Sequence, residues 1–216
     1  KDKFSCPICK YHGPFMDKNN RLRAKCPKCG ELERARLARL VIDKIYDDKK
    51  AAETDVLHIS PENSLRKFFK KRFKSYISSD LYRKDVDHQF DIEEIPYPNK
   101  SFDLVFASHV LEYVRNDKKA IREIQRVLRP GGLAFLPVPM LHEKTIDFEE
   151  RPLNKRIIRE TGIDYFDRYR DVFIEVEVYD PSSFDEAFNL TIDMEDQSNS
   201  EKSIYQLPNF LPVCKA

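Results

Sequence analysis

Two Cys-x-x-Cys pairs near the N-terminus constrain this chain more than any other feature of its sequence. Cys6 and Cys9 form the first pair, Cys26 and Cys29 form the second, and sixteen residues separate the pairs. Thiolates at this spacing are typical of a tetrahedral zinc site, in which one ion joins two tight turns. Two disulfides or buried thiols are the alternatives, and the paired spacing favours zinc. Because four protein ligands leave no open coordination position, the predicted ion is structural.

The composition of the 216-residue chain indicates one ordinary domain with a small appendage. Its formal net charge of +1 argues against a dedicated nucleic-acid binder, which usually carries a basic excess. The sequence has no apolar run long enough to span a membrane. Cys214 is the one cysteine outside the two pairs, so we expect a reducing, cytoplasmic environment. The chain starts with Lys1 rather than methionine, which suggests a part of a longer polypeptide.

Strand and helix patterns alternate after the cysteine-rich segment. We predict helices over 31–46, 64–74 and 117–128 and strands over 55–59, 76–79, 86–90, 102–107 and 133–138. A turn is predicted over 129–132 and an irregular lid or substrate loop over 140–170. Regular structure should return near 172–178, and two final strands over 190–194 and 205–214 should flank a loop over 195–200. This alternation predicts right-handed crossovers and a mostly parallel sheet. The predicted division is a zinc ribbon over 1–30, a connecting helix and linker over 31–54, and the main domain over 55–216.

Polar residues follow four of the predicted strands. They are the segment His58 to Glu62, then Asp80, Asp91, and the pair Ser108 and His109. Ligands of open parallel sheets bind beyond the carboxyl ends of the strands, where a carboxylate can accept both hydroxyls of a ribose. Each acid alone could be a strand-end cap, but their joint occurrence predicts a nucleoside-shaped site.

Longer motifs carry a family resemblance. The segments Ile95 to Val105, Ser108 to Val114 and Val127 to Gly132 resemble the class I S-adenosylmethionine-dependent methyltransferases of type 11. More narrowly, the chain is similar to a bacterial and viral subgroup whose zinc ribbon leads into a Glu-Arg-x-Arg helix, here Glu33 to Arg36. The first strand of that subgroup ends in Leu-His-Ile-x-Pro-Glu, here Leu57 to Glu62. The resemblance implies a Rossmann-like α/β fold with a mostly parallel, seven-stranded sheet.

The resemblance also implies where S-adenosylmethionine would bind. The loop at Ser60 would lie under its methionine part, Asp80 would hold the ribose hydroxyls, and Asp91 would flank the adenine. The backbone at His109 would lie near the sulfonium. The implied cofactor-binding residues are His58, Ile59, Ser60, Pro61, Glu62, Asp80, Leu81, Asp91, Ile92, Ser108 and His109.

One feature departs from the family pattern. Most methyltransferases of this class have a glycine-rich loop after the first strand, and none of the five glycines of this chain lies there. Glycine at that place permits close approach of the backbone to the ligand. Its replacement by residues 60–63 implies weaker cofactor binding, a reshaped pocket or loss of activity.

The chemistry of methyl transfer suggests candidates for a general base. Transfer from a sulfonium is an in-line displacement, so the enzyme mainly aligns the reacting atoms. A hydroxyl acceptor must also lose a proton, and His109 and His142 are the first candidates because histidine titrates near neutrality. Glu112, Glu143 and Asp147 are the candidates behind them. Alternatively, His109 caps a turn and His142 is simply solvated.

Three functions remain open at this point. The first is O-methylation of a sugar hydroxyl on a glycan or related small molecule, since the subgroup is associated with surface polysaccharide assembly. The second is an RNA methyltransferase whose ribbon grips nucleic acid, which the near-neutral charge disfavours. The basic residues that favour it are Arg21, Arg23, Lys25 and Lys28 on the ribbon and Arg34, Arg36 and Arg39 beside it. The third is a catalytically silent scaffold, favoured by the missing glycines and opposed by Asp80 and Asp91.

Overall fold

The structure is a computed structural model, which describes residues 3–153, 155–193 and 208–216. Its elements in chain order are β1 (Phe4–Ser5), β2 (His12–Gly13), β3 (Met16–Lys18), β4 (Arg21–Lys25), α1 (Glu33–Ile45), α2 (Asp48–Ala51), β5 (Asp55–Ile59), α3 (Asn63–Arg72), β6 (Ser75–Asp80), β7 (His88–Gln89), β8 (Phe102–Ala107), α4 (Asp117–Val127), β9 (Leu128–Phe135), β10 (Ile146–Asp147), β11 (Arg159–Glu160), α5 (Tyr165–Arg170), β12 (Glu175–Tyr179) and β13 (Leu211–Lys215). None of the helices described is long and apolar enough to cross a membrane.

Seven of the described strands form one sheet in the order β12, β13, β9, β8, β5, β6, β7. β13 runs antiparallel to both of its neighbours, and the other paired strands are parallel. This arrangement confirms the predicted mostly parallel, seven-stranded sheet. The chain builds outward from β5 through β6 to β7 and then returns to place β8 on the other side of β5. The strand order therefore reverses between β5 and β8, which is where open α/β sheets bind ligands.

Helices cover both faces of the sheet. α1 and α3 bring Val41 and Phe69 into one apolar cluster, where they meet Phe106 of β8. α4 and α5 bring Ile121 and Tyr169 into a second cluster on the opposite face. Because side chains alternate along a strand, each central strand supplies both clusters. The result is a three-layer sandwich with a buried sheet.

The Pro-Gly-Gly segment does not form the separate turn that was predicted over 129–132. It lies within β9, because Phe102 pairs with Leu128 while Leu104 pairs with Leu133, so the segment forms an irregular bulge. Gly131 has a φ of +78°. A Cβ at Gly132 would come within 2.9 Å of the Arg129 carbonyl oxygen. The glycines permit the sharp bend, and the hydrogen-bond ladder resumes beyond it.

The predicted irregular segment over 140–170 is more ordered than expected. It contains the paired strands β10 and β11 and the helix α5, which buries Tyr165 and Tyr169 completely. Arg159 is buried as well, and its guanidinium donates to the carbonyl oxygens of Leu111, Val114 and Arg115. The prediction of irregular structure is therefore wrong for this part of the segment, because its aromatic side chains complete the core. Its role as a lid or substrate loop stays a prediction.

Other predicted boundaries need smaller corrections. The strand predicted over 86–90 shortens to two residues at the edge of the sheet. Residues 190–193 form no strand, although Leu190 is buried. Met194 and the predicted loop over 195–200 lie outside the described residues, as does the first part of the strand predicted over 205–214. The charged linker after α1 contains the short helix α2, which Asp47 caps by accepting from the Lys50 backbone N–H.

Candidate active site and metal centre

The two cysteine pairs have the same backbone geometry. In each pair the fourth residue after the first cysteine has a positive φ, 60° at Lys10 and 80° at Gly30. The N–H of Lys10 donates to the Cys6 carbonyl at 3.0 Å, and that of Gly30 donates to the Cys26 carbonyl at 2.9 Å. Two equivalent turns therefore present their thiols to a common centre.

The thiol positions fit one tetrahedral zinc ion. All four Sγ atoms lie within 4.8 Å of one another. The Cys6–Cys29 and Cys9–Cys26 Sγ distances are 3.7 and 3.6 Å. A tetrahedron with zinc–sulfur bonds of about 2.3 Å has edges of about 3.8 Å. All five cysteines of the chain are described and are free of disulfides, which removes the disulfide alternative. Zinc in this place would be structural, because four sulfurs complete its coordination.

The cysteine-rich segment docks onto the main domain close to the loop that follows β5. Ser64 lies at the start of α3, and its hydroxyl donates to the Cys29 carbonyl at 3.2 Å. Its backbone N–H donates to the Glu31 carboxylate at 3.2 Å. The second cysteine turn therefore supports the helix whose N-terminus follows residues 60–62. Loss of the metal is expected to disturb that loop.

Most of the arginines that were predicted to grip nucleic acid have partners within the protein. Arg36 is completely buried and donates to the carbonyl oxygens of Ala24, Glu31, Phe188 and Asn189. Arg21 is buried against Glu33, Arg23 pairs with Asp193, and Arg39 pairs with Asp43. These contacts hold the ribbon, α1 and the C-terminal segment together. The charges of these four arginines therefore serve internal contacts, which weakens the case for RNA.

A cavity of about 790 Å³ lies at the reversal of strand order. Its wall includes seven of the residues implied as cofactor ligands, namely Ile59, Ser60, Asp80, Leu81, Asp91, Ile92 and His109. They come from the carboxyl ends of β5, β6 and β8 and from the loop after β7. Such a volume is within the usual range for small-molecule sites.

Asp80 is fixed by hydrogen bonds on both of its carboxylate oxygens. Its Oδ2 accepts from the Ser60 hydroxyl at 2.6 Å, and its Oδ1 accepts from the backbone N–H groups of Tyr82 and Arg83 at 2.8 and 3.0 Å. Partial burial raises the pKa of Asp80, but these hydrogen bonds outweigh burial and lower it below its ordinary value. A carboxylate offers about four acceptor positions. The ionised side chain therefore retains acceptor capacity for a ligand hydroxyl.

Two residues in the wall have a left-handed backbone conformation without being glycine. The φ of Ser60 is 52° and that of His109 is 54°. Such a conformation costs roughly 1–3 kcal/mol in a residue with a side chain and is frequent at functional sites. The Ser60 hydroxyl bonds Asp80, and the His109 N–H bonds the Pro137 carbonyl. The chain thus adopts the turn after β5 without the glycine that the family usually has there.

His109 lies beside a buried carboxylate. Its Nδ1 is 3.5 Å from Oε1 of Glu112, whose side chain is almost completely buried. In the described part of the chain, Glu112 Oε2 has no hydrogen-bond partner. A carboxylate in this position can orient an imidazole and stabilise its charged form. The other candidate base, His142, is not among the residues that line the cavity, and its Nε2 contacts Glu160 at 2.9 Å.

The side chains of four implied cofactor residues do not line this cavity: His58, Pro61, Glu62 and Ser108. His58 is completely buried on the other face of the sheet, where its ring contacts Phe69 and Phe106 edge-on. Its two ring nitrogens bond Tyr76 at 3.1 Å and Glu62 at 3.2 Å. The alternation of side chains along β5 explains this, since Leu57 and Ile59 face the α4 side.

The buried His58 predicts that the protein loses stability in mild acid. Burial lowers the pKa of His58, and Glu62 offsets this only in part. The unfolded chain therefore begins to bind a proton near pH 6.5, whereas folded His58 does so only at lower pH. We expect the free energy of unfolding to fall as pH drops through that value, by at most about 1.4 kcal/mol per pH unit.

Urea denaturation between pH 7.5 and 5.5 measures this dependence. His58→Gln should flatten the slope, whereas the same change at exposed His88 should leave it unaltered. An unchanged slope in the His58 variant would contradict the assignment.

Sequence analysis missed several residues of the cavity wall. They are Tyr82, Phe90, Glu93, Val110, Tyr113, Val114, Arg115, Arg151 and Arg156. The first three lie within two residues of a strand-end acid, so proximity to Asp80 and Asp91 could have indicated them. Arg151 and Arg156 lie in the segment that was expected to be irregular, and no local pattern marks them.

Comparison with known proteins agrees with this geometry. Residues 47–136, somewhat less than half of the chain, match the model of a methyltransferase domain. A 27-O-demethylrifamycin SV methyltransferase from Amycolatopsis mediterranei (strain S699) is 36% identical over 107 residues, which are 44% of this chain and 39% of that protein. A sterol 4-C-methyltransferase from Caenorhabditis elegans is 37% identical over 60 residues, 28% of this chain and 17% of that protein. The chain thus spans about two fifths or less of these relatives.

Solved structures share the fold at low sequence identity. An S-adenosylmethionine-dependent methyltransferase from Mesorhizobium loti superposes with a TM-score of 0.54 at 14% identity, over 82% of this chain and 97% of that one. The chain therefore has a Rossmann-like methyltransferase fold, and residues 47–136 are similar to a methyltransferase domain. The two relatives are named for different acceptors, so the acceptor of this chain has to be argued from its own site.

Proposed function

We propose that this chain is an S-adenosylmethionine-dependent O-methyltransferase that acts on a sugar hydroxyl of a glycan or related small molecule. The observation that carries the proposal is the hydrogen-bonded pair of Ser60 and Asp80, which lines the cavity at the reversal of strand order. Asp91 lines the same cavity. We also propose that the protein works in the cytoplasm, whose reducing conditions keep the four thiols available for zinc.

The cavity residues fit the parts of S-adenosylmethionine. The carboxylate of Asp80 would accept the ribose hydroxyls, and the apolar side chains of Leu81 and Ile92 would contact the adenine. Asp91 would accept from the exocyclic amine, since its Oδ1 already bonds the Glu93 N–H at 2.9 Å and is thereby held in place. When bound, the cofactor supplies an electrophilic methyl group on a positively charged sulfur.

His109 would be the general base. With Nδ1 directed at Glu112, Nε2 is the ring nitrogen that can take the proton of an acceptor hydroxyl as that oxygen attacks the methyl carbon. The buried carboxylate of Glu112 would stabilise the imidazolium formed in this step. The proton later leaves to water, so the products are the methyl ether, the thioether of the cofactor and one proton. Glu112 is a positioning residue here, because it acts through His109.

We expect His109→Asn to lower kcat by about 10²–10⁴-fold, the usual contribution of a general base. Asparagine tolerates the positive φ at this position, so the affinity for S-adenosylmethionine should change little. Transfer of a labelled methyl group to a panel of mono- and oligosaccharides measures kcat.

The matched control is His142→Asn, which removes the other candidate base outside the cavity. It should leave kcat within about twofold. Equal losses in both variants would contradict the assignment of His109. If no saccharide accepts the label while the wild-type protein binds the cofactor, the sugar acceptor is wrong.

A further inference from the structure

Three arginines that the proposed mechanism does not use line the same cavity. Arg115 follows the short 3₁₀ turn Leu111–Tyr113, and Arg151 and Arg156 lie between β10 and β11. All three are exposed. Within the described residues, none of the three guanidinium groups forms an ion pair or a hydrogen bond, and Arg115 contributes its carbonyl oxygen alone, to Arg159. Their positive charges therefore remain available to a ligand.

The neighbouring arginines and aspartates already form ion pairs with one another. Arg159 and Arg168 each pair with both Asp117 and Asp147 next to this cavity. The acids of the cavity accept hydrogen bonds from groups other than these three arginines, and Glu93 accepts from the Asn116 N–H at 2.8 Å. Asp80 and Asp91 accept from backbone groups as described above. The three arginines thus lack the ion pairs that Arg159 and Arg168 form beside them.

Unpaired guanidinium groups around one volume repel each other unless an anion lies between them. Guanidinium presents a planar fork of donors that suits phosphate oxygens better than a point charge does. The single carboxylate of S-adenosylmethionine would require one such group, and three exceed that need. The same wall holds three carboxylates, those of Asp80, Asp91 and Glu93, so it carries no overall positive excess. Such a wall suits a compact anion bound at the arginines better than a polyanion.

Aromatic rings in the same wall indicate what the anion is attached to. The side chain of Tyr82 is 81% exposed and that of Tyr113 is 46% exposed, and both line the cavity. Exposed tyrosines present a flat apolar face with a polar tip, which suits the face of a sugar ring and its hydroxyls. A sugar placed there would be attached to the group that the arginines bind.

We propose that the acceptor is a sugar phosphate or sugar diphosphate, whose phosphoryl group is bound by Arg115, Arg151 and Arg156. The inference rests on the proposed function, because it names the class of acceptor for the same cavity. It adds a phosphate subsite beside the cofactor subsite, and a ligand bound in one subsite should not prevent binding in the other.

Calorimetry tests the phosphate subsite with pyrophosphate as the probe. Zinc-loaded protein is titrated at constant ionic strength, first alone and then saturated with S-adenosylhomocysteine. We expect pyrophosphate to bind in both cases. The single variants Arg115→Gln, Arg151→Gln and Arg156→Gln should each weaken pyrophosphate binding about tenfold, because each substitution removes a charge-assisted hydrogen bond. The triple variant should weaken pyrophosphate binding by at least about a hundredfold. The control Arg122→Gln alters an exposed arginine of α4 outside the cavity wall and should change nothing.

The outcomes separate this inference from the proposed function. Equal pyrophosphate affinity in the triple variant and the wild-type protein would overturn the phosphate subsite. Displacement of pyrophosphate by S-adenosylhomocysteine would also overturn it, because the arginines would then serve the cofactor. Tighter binding of a ten-nucleotide RNA, lost in the triple variant, would replace the sugar phosphate by nucleic acid. Failure of wild-type protein to bind S-adenosylhomocysteine would reject the proposed function, while the titration without cofactor still tests the arginines.

Discussion

Asp80→Ala is expected to weaken the binding of S-adenosylmethionine by at least about a hundredfold. The variant removes the carboxylate that would accept two ribose hydroxyls, and hydrogen bonds to a charged group contribute about 1.5–3 kcal/mol each. It also leaves the Ser60 hydroxyl and the N–H groups of Tyr82 and Arg83 without their acceptor. Asp80→Asn should weaken binding less, by about tenfold, because one carbonyl oxygen remains to accept. Calorimetric titration of zinc-loaded protein gives both values.

Asp85→Asn is the matched control for this experiment. Asp85 lies five residues further along, pairs with Arg66 and Arg83, and does not line the cavity. Its replacement should leave the affinity within about twofold, since exposed ion pairs contribute little. Wild-type affinity in both Asp80 variants would mean that the cofactor lies elsewhere or does not bind.

Removal of the predicted structural zinc is the second change with a large expected effect. Cys26→Ser should abolish zinc binding, and structural zinc contributes on the order of 10 kcal/mol to the folding of small metal-binding modules. We expect the ribbon to unfold and the main transition to fall by about 10–20 °C, because the contacts of Arg36 and Ser64 with the ribbon are lost. Cofactor affinity should fall as well, since Ser64 follows the loop at Ser60. Metal analysis and differential scanning calorimetry measure these effects.

Cys214→Ala provides the control, because it removes the one thiol outside the cluster. Cys214 is buried in the core, so this variant should lose some stability but keep one zinc per chain. A full zinc content in Cys26→Ser would contradict the four-sulfur site. If the metal-free ribbon unfolds while cofactor affinity is unchanged, the coupling through Ser64 is wrong.

The parts of this fold that depend on local sequence were predictable. β5 and β8 coincide with the predicted strands because each is a short, buried apolar run between polar residues. The two cysteine pairs signal their common centre through spacing alone. Asp80 and Asp91 could be placed at one edge of the sheet because parallel strands end on the same side.

The parts that depend on tertiary contacts were not predictable from these patterns. The segment after β9 looks irregular because its charged residues form pairs distant in sequence, such as Arg159 with Asp117. α5 has only six residues, too few for a clear helical period, yet it buries Tyr165 and Tyr169. His58 was assigned to the cofactor site from its position in a motif, whereas the alternation along the strand turns its side chain to the opposite face.

A crystal structure of the zinc-loaded protein with S-adenosylhomocysteine would test the central claim most directly. The account predicts density in the cavity at the reversal of strand order, with both ribose hydroxyls within hydrogen-bonding distance of the Asp80 carboxylate and the sulfur facing His109. An empty cavity at saturating ligand, or a ligand bound away from Asp80, would contradict it.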